Sequence, residues 1–417
     1  MNKKFIIAIS HGDYTRGDGG TDKVILAHQK ILNKNNKSML HICPWTMNGI
    51  LRKKIWLVHV DGKEIGVFTN GRLVNYIQGL GYNGYELLDI FIHHLKNIEI
   101  ADLETVLDYT SVPIYFYIHD YFTVCPFNGL VDSDGRYCGC GFPNKKKCLT
   151  CNYFSELEIK RVAEIKKLFA HFENRLQFVA PSDNAKDNWN QDYPQYKNKV
   201  RVIYHQTFEG IYSGNSKTVE IGEPIRIAFV GYQIKHKGWD EWKKAVTANS
   251  GNTKYEFFQF GWGEDHLDNC KQISVDFKEN LNAMTYALRK NEIHCAVIWS
   301  TCPETYSYTY YEALAANCFI ITNSRSGNVC YQTKIRENGI VDDDLVLLLE
   351  DDCELRTRVN QYRQSQHLTP NELVENTEML TLLTMPSKMV YKKSHPFVDY
   401  SVALGILRRI KNKVRGK

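Results

Sequence analysis

Short apolar runs alternate along this chain with helically spaced stripes, the signature of repeated strand–helix units. The run 3–10 predicts a first buried strand, and Val24, Ile25, Ala27, His28 and Ile31 predict a helix over 22–33. Two apolar runs around Asp61-Gly62 predict a hairpin over 55–68, since Asp-Gly adopts the left-handed turn that joins antiparallel strands. Residues 112–118, 176–180 and 200–204 read as further buried strands, and a helix closes at 106–109. An amphipathic helix is predicted over 155–174. Ser155 and Glu158 would form its capping box, and Leu157, Val162, Ile165, Leu168, Phe169 and Phe172 its apolar stripe. A second series starts with the strand 226–230 and continues through strands 255–260, 295–299 and 319–321. Its helices begin at Trp239, run over 281–289 and start again near Ser307; from Asp343 the chain is acidic and helical to about Gln366. Residues 294–328 thus form a strand–loop–helix–strand unit with parallel strands. Ligands of such sheets lie beyond the carboxyl ends of the strands.

The 417 residues suffice for two cores. The polar, glycine-bearing segment 206–222 is placed as the linker between an α/β unit over 1–205 and another over 223–395, with 396–417 as a separate C-terminal segment. Apolar content of 43% and charge of 24% are ordinary for a globular protein, and a net charge of +5 does not argue for nucleic acid. The apolar run 5–9 is too short for a secretory signal, and no run approaches the ~20 residues of a membrane span. A cytoplasmic location is therefore expected, with thiols or metal favoured over disulfides for the twelve cysteines. The tail from Tyr400 combines Val402, Leu404, Ile406, Leu407 and Ile410 with lysines and arginines, which suits peripheral contact at the inner membrane face or a domain-crossing helix. The 25 tyrosines suit sugar stacking, although tyrosine-rich cores are a blander cause.

Chemistry-bearing residues gather where strands are predicted to end. Gly19 and Gly20 permit close backbone approach to a ligand at the first strand-to-helix junction. His119-Asp120 closes the strand 112–118, Lys235 and Lys237 precede the helix at Trp239, and Gly261 follows the strand 255–260. Glu304 and Glu312 flank the loop carrying Thr305, Tyr306, Ser307 and Tyr308. Eight positions is just over two helical turns, so both acids face one crevice if the helix starts near Ser307. The free N–H groups of that helix start could hold a phosphate between them.

Five cysteines, Cys125, Cys138, Cys140, Cys148 and Cys151, cluster in a glycine-bearing insertion over 125–151 with little core of its own. Cys148 and Cys151, with two residues between them, make a metal half-site, and four thiolates would close a structural zinc site. Cys125, Cys138, Cys148 and Cys151 are the candidate ligands, with Cys140 as substitute; free thiols in an irregular insertion are the alternative.

The run Pro303, Glu304, Glu312, Ala313, Ala315 and Ala316 ahead of the strand 319–321 resembles the donor-binding signature of retaining GT-B glycosyltransferases, most closely family 4. The resemblance extends in order through Gly19-Gly20-Thr21-Asp22, the run from His119 to Pro126, and Lys237-Gly238. It implies two Rossmann-like domains facing a central cleft, with a C-terminal helix crossing back to the first. It implies retaining transfer of a sugar from a nucleotide-sugar to a glycan or lipid-linked glycan, in a setting such as bacterial surface polysaccharide or glycoconjugate assembly, with no cofactor required for catalysis. By resemblance, Glu304 contacts the donor sugar, Glu312 the ribose, Lys237 the diphosphate, and His119 reaches the sugar from the first domain. Gly19, Gly20, Lys235, Gly261 and Thr305 to Tyr308 complete the donor site. Two positions depart from the family pattern: Asp22 replaces a frequent Glu, and Tyr232 stands where an Arg is expected, with Lys235 as the nearby charge. A non-catalytic nucleotide-sugar-binding module is the rival reading. A phosphorylase-type enzyme is disfavoured by the cysteine-rich insertion and the shorter chain.

Overall fold

The structure is a computed structural model that describes residues 1–17, 19–45, 55–143, 146–212, 218–276, 280–365 and 369–383. The first half builds an eight-stranded sheet from β1 (Lys4–Ile9), β2 (Lys37–Pro44), β3 (Ile55–Val60), β4 (Lys63–Thr69), β5 (Glu86–Ile92), β6 (Ile114–Tyr117), β7 (Leu176–Ala180) and β8 (Val200–Val202). Its spatial order is β4-β3-β2-β1-β5-β6-β7-β8. β3 and β4 are the hairpin expected from Asp61-Gly62, whose φ angles of 49° and 80° are those of the left-handed turn. The remaining strands run parallel, and the chain reverses its winding direction between β1 and β5. In parallel sheets this switch opens a crevice beyond the strand ends.

β9 (Gln206–Tyr212) precedes the second sheet, which contains β10 (Ile225–Val230), β11 (Tyr255–Phe260), β12 (Cys270–Ile273), β13 (Cys295–Val297), β14 (Phe319–Thr322) and β15 (Gly339–Val341). The order β12-β11-β10-β13-β14-β15 is wholly parallel and switches direction between β10 and β13. Two Rossmann-like units therefore present their crevices to one cleft, the GT-B arrangement. Their strands read as nearly continuous apolar runs because both faces are covered by helices.

Three local expectations differ, and a fourth lies outside the described residues. The segment 206–222, read as a polar linker, begins with β9, which pairs antiparallel with β16 (Thr369–Glu375); that long-range partner outweighs local polarity. Leu157, expected in the apolar stripe, is 73% exposed. It lies in the first turn of the helix Glu156–His171 and leans toward the N-terminus, as helical side chains do, clearing the core. Only half of the capping box forms: Ser155 Oγ accepts from the Glu158 amide, while the Glu158 carboxylate binds Arg161 instead. Lastly, the return to the first unit was expected over 396–417, which lie outside the described residues, as does the tail from Tyr400. A return is already made by the turn Thr377–Leu382, whose Met379 and Leu382 pack against Ile6, Ala8 and Ile25. There Tyr115 donates to the Leu382 carbonyl at 2.8 Å.

Candidate donor site in the cleft

The loop after β13 is built by its backbone. Glu304 N–H donates to the Ser326 carbonyl, and the Glu304 carbonyl accepts from Asn328 N–H at 2.9 Å. Gly327, at φ 63°, makes this clasp feasible: a Cβ there would lie 2.6 Å from the Glu304 nitrogen. Ser307, at φ 72°, then turns the chain into the helix Tyr308–Ala315. A left-handed non-glycine residue at this corner stores backbone strain beside the cavity. The corner is also fastened to the first unit. Thr305 Oγ1 donates to the His119 carbonyl at 2.6 Å, and Ser182 Oγ donates to the Thr305 carbonyl at 2.7 Å. The Tyr306 hydroxyl accepts from Gln206 N–H at 3.1 Å.

A cavity of about 340 Å³ lies between the two units. Of the residues expected at the donor site, Gly19, Gly20, His119, Lys237, Gly261, Glu304, Thr305, Tyr306, Ser307, Tyr308 and Glu312 all line it. Lys235 does not. It is exposed on the turn Lys235–Lys237, with its stem near Gly135 of the cysteine-rich insertion, so the expected substitute for the missing Arg points elsewhere. The cause is the tight turn, in which alternate lysines leave in different directions. Tyr232 lines the cavity where that Arg was expected.

Lys237 and Glu304 form an ion pair, and Ser300 Oγ also donates to the same carboxylate. Burial opposes the charge on each partner, and the pairing outweighs it. The Lys237 ammonium is held above its ordinary pKa and the Glu304 carboxyl below its own. Gly238, at φ 89°, lets this turn press onto the segment that follows β13, since a Cβ there would meet the Trp299 carbonyl oxygen at 2.3 Å. Glu312 behaves differently. It is 3% exposed, and burial pushes its carboxyl up to about 7, with the Lys23 charge pulling the other way. The two glutamates thus share one cavity in opposite states, one firmly ionised and one close to half-protonated at neutral pH.

On the opposite wall His119 belongs to a ring stack. Tyr117, His93 and His119 lie nearly parallel at 4.7 and 5.2 Å, and His119 approaches His205 at 5.6 Å. His93 Nδ1 and His119 Nε2 share a hydrogen bond of 3.0 Å. Burial, followed by the neighbouring imidazoles, holds both well below the ordinary histidine pKa, so the pair is neutral at pH 7. The adjacent Asp120 anchors the segment. It takes hydrogen bonds from Asn128 Nδ2 and the Phe122 amide, and His94 Nε2 lies 3.0 Å away. The Lys96 N–H donates to His94 Nδ1 at 2.9 Å, so the proton of a neutral His94 sits on Nε2, facing Asp120. Burial would raise the Asp120 pKa, but these partners bring it to about 2.

Lys23, His205 and Ser300 line the cavity and His93 backs His119; the sequence reading missed all four. Lys23 alone carried a signal: a lysine near the N-terminus of the helix Gly20–Lys34 opposes the helix dipole, an arrangement that invites an anion.

The cysteines of the insertion lie apart from the cavity lining. Cys125 and Cys140 are buried. The Cys140 thiol donates to the Asn188 carbonyl, and that of Cys138 to the Leu130 carbonyl. Burial, with the charges of Cys138, Cys148 and Cys151 adding to it, pushes the Cys125 thiol up to about 12. Among the described residues no three His, Cys, Asp or Glu side chains converge as a metal-binding set. No helix among them is long and apolar enough to cross a membrane.

Neither a protein-family model nor a curated protein matches the sequence. Solved structures do share its fold. Sucrose-phosphate synthase from Thermosynechococcus elongatus aligns over 87% of this chain and 94% of its own, with 12% identity and a TM-score of 0.53. The Anabaena protein HepE in complex with UDP aligns over the same shares, with 12% identity and a TM-score of 0.51. A glycosyltransferase from Rickettsia africae covers 88% of this chain and 93% of its own, at 12% identity and a TM-score of 0.50.

Proposed function

We propose that this protein is a retaining glycosyltransferase of the family 4 type, moving a sugar from a nucleotide-sugar to a glycan or lipid-linked glycan. The observation that carries the reading is the convergence of the Gly19-Gly20 turn, His119, Lys237, Glu304 and Glu312 on one cavity between the two units. The fold relatives, a sucrose-phosphate synthase, a protein solved in complex with UDP and a glycosyltransferase, support it.

In this reading Glu312 accepts hydrogen bonds from the ribose and Glu304 from hydroxyls of the transferred sugar. The bond from the anomeric carbon to the phosphate oxygen breaks while the acceptor oxygen bonds to the same face. The acceptor proton passes to the departing phosphate. Lys237, already charged and oriented by Glu304, stabilises the diphosphate as charge develops, and the amides at the start of the helix Tyr308–Ala315 add to it. His119, neutral, offers the sugar a fixed hydrogen-bonding group. No step calls for a metal. A structural zinc is proposed separately, on Cys125, Cys138, Cys148 and Cys151 with Cys140 as substitute, from the clustering of these thiols in the insertion 125–151; binding would have to draw together side chains that do not converge among the described residues. Peripheral membrane contact through the tail and a role in bacterial polysaccharide or glycoconjugate assembly belong to the same proposal.

The test is a thermal-shift series with UDP, GDP, ADP and dTDP sugars, followed by release of the nucleoside diphosphate and assignment of the product anomer. A ligand at a hundred times its Kd stabilises the fold by about 2.7 kcal/mol, which a melting curve resolves. Binding without turnover would favour the non-catalytic module, dependence on inorganic phosphate a phosphorylase, and an inverted product would remove the retaining assignment.

A further inference from the structure

The phosphate-binding side of the cavity is short of charge. A diphosphate carries at least two negative charges. Among the described lining residues the lysines are Lys237, which Glu304 neutralises, and Lys23. Tyr232 adds no cation, and Lys235 lies outside the lining. Lys23 comes from the first unit, three residues beyond Gly20. Its ammonium stands 5.3 Å from the centroid of the Tyr308 ring, which belongs to the second unit at the helix start beside Glu304. Its charge also reaches Glu312. Lys23 thus spans the cleft toward the same helix start that faces Lys237.

We propose that Lys23 is a phosphate-binding residue, gripping the diphosphate of the donor from the first unit while Lys237 grips it from the second. This rests on the donor-site reading above and adds to it that the ligand's phosphates tie the two units together. A lysine suits the task as a compact point charge on a flexible stem, and its place near a helix N-terminus adds the dipole to the same anion.

The alternative role for Lys23 is support of Glu312, and affinity for nucleoside against nucleoside diphosphate separates the two. Isothermal titration of the full-length protein uses UDP, GDP, ADP and dTDP, each beside its nucleoside. For the base that binds, Lys23→Ala is expected to weaken the diphosphate roughly ten- to a hundredfold and the nucleoside less than about twofold. Lys23→Arg should recover part of the loss, and Lys23→Met, which keeps the stem, should behave as Lys23→Ala. Parallel loss of nucleoside and diphosphate affinity would place Lys23 with Glu312 and overturn the assignment, as would unchanged diphosphate affinity. If the wild type binds none of the four diphosphates, the donor-site reading itself fails, a result distinct from failure of the lysine alone.

Discussion

Replacing Glu312 with Gln should make this protein more stable at alkaline pH and worse at holding a nucleotide. Burial pushes the Glu312 carboxyl from 4.5 up to about 7. A carboxyl whose folded-state pKa is raised favours folding while it is protonated. That contribution is complete below about pH 4.5 and is lost as pH rises through about 7. The separation of about 2.5 units corresponds to at most about 3.5 kcal/mol, since each pKa unit is worth about 1.4 kcal/mol. Glutamine has the same shape and stays neutral, so Glu312→Gln escapes the loss. The gap between variant and wild type should widen by up to about 3 kcal/mol from pH 4.5 to pH 8, or several degrees in melting temperature. Urea unfolding at both pH values measures it. A gap that is equal at the two pH values would refute the burial argument. In the proposed reading the same substitution removes a partly ionised acceptor of the ribose hydroxyls, so nucleoside affinity should fall about tenfold. A rise in stability with a fall in binding, from one isosteric change, is the mark of a residue kept buried for its ligand rather than for the fold.

The other glutamate should respond in the opposite sense: Glu304→Ala is expected to lower kcat ten- to a hundredfold, about 1.5–3 kcal/mol, with little change in nucleoside affinity. Full kcat in that variant would remove Glu304 from the reaction. His93→Phe keeps a stacked ring but removes the partner of His119 Nε2, so kcat should drop while diphosphate affinity holds; equal loss of both would mean a purely structural ring. Protein purified without added metal should carry about one zinc per chain on Cys125, Cys138, Cys148 and Cys151. Metal-free, folded protein with all of these thiols open to alkylation ends that assignment.

Most of what positions the site was legible locally. The strands preceding Gly19, His119, Lys237 and Glu304 show as apolar runs, and each is followed by the polar or glycine-bearing turn that a parallel sheet places at its ligand edge. The eight-residue spacing of Glu304 and Glu312 survives because the chain bends once, at Ser307, before the helix starts. What the sequence could not reveal is the difference between the two acids. Their neighbours supply it: Lys237, 67 residues from Glu304, holds one carboxylate ionised, while around Glu312 burial prevails. Lys235 shows the complementary failure, since spacing alone cannot say which of two lysines in a tight turn faces inward.

The cross-cleft contacts belong to the same class. Thr305 binds the His119 carbonyl across 186 residues and Ser182 binds Thr305 across 123. No periodicity records such pairs, because each member is an ordinary hydroxyl or carbonyl in its own segment. Their consequence is mechanical. Thr305 follows Glu304 directly in the chain, and the His119 carbonyl is adjacent to its own ring. A shift of one unit against the other therefore moves the Glu304 carboxylate and the His119 imidazole relative to each other. If a diphosphate bridges Lys23 of the first unit and Lys237 of the second, as proposed, it would favour the arrangement of the units that these two hydrogen bonds hold.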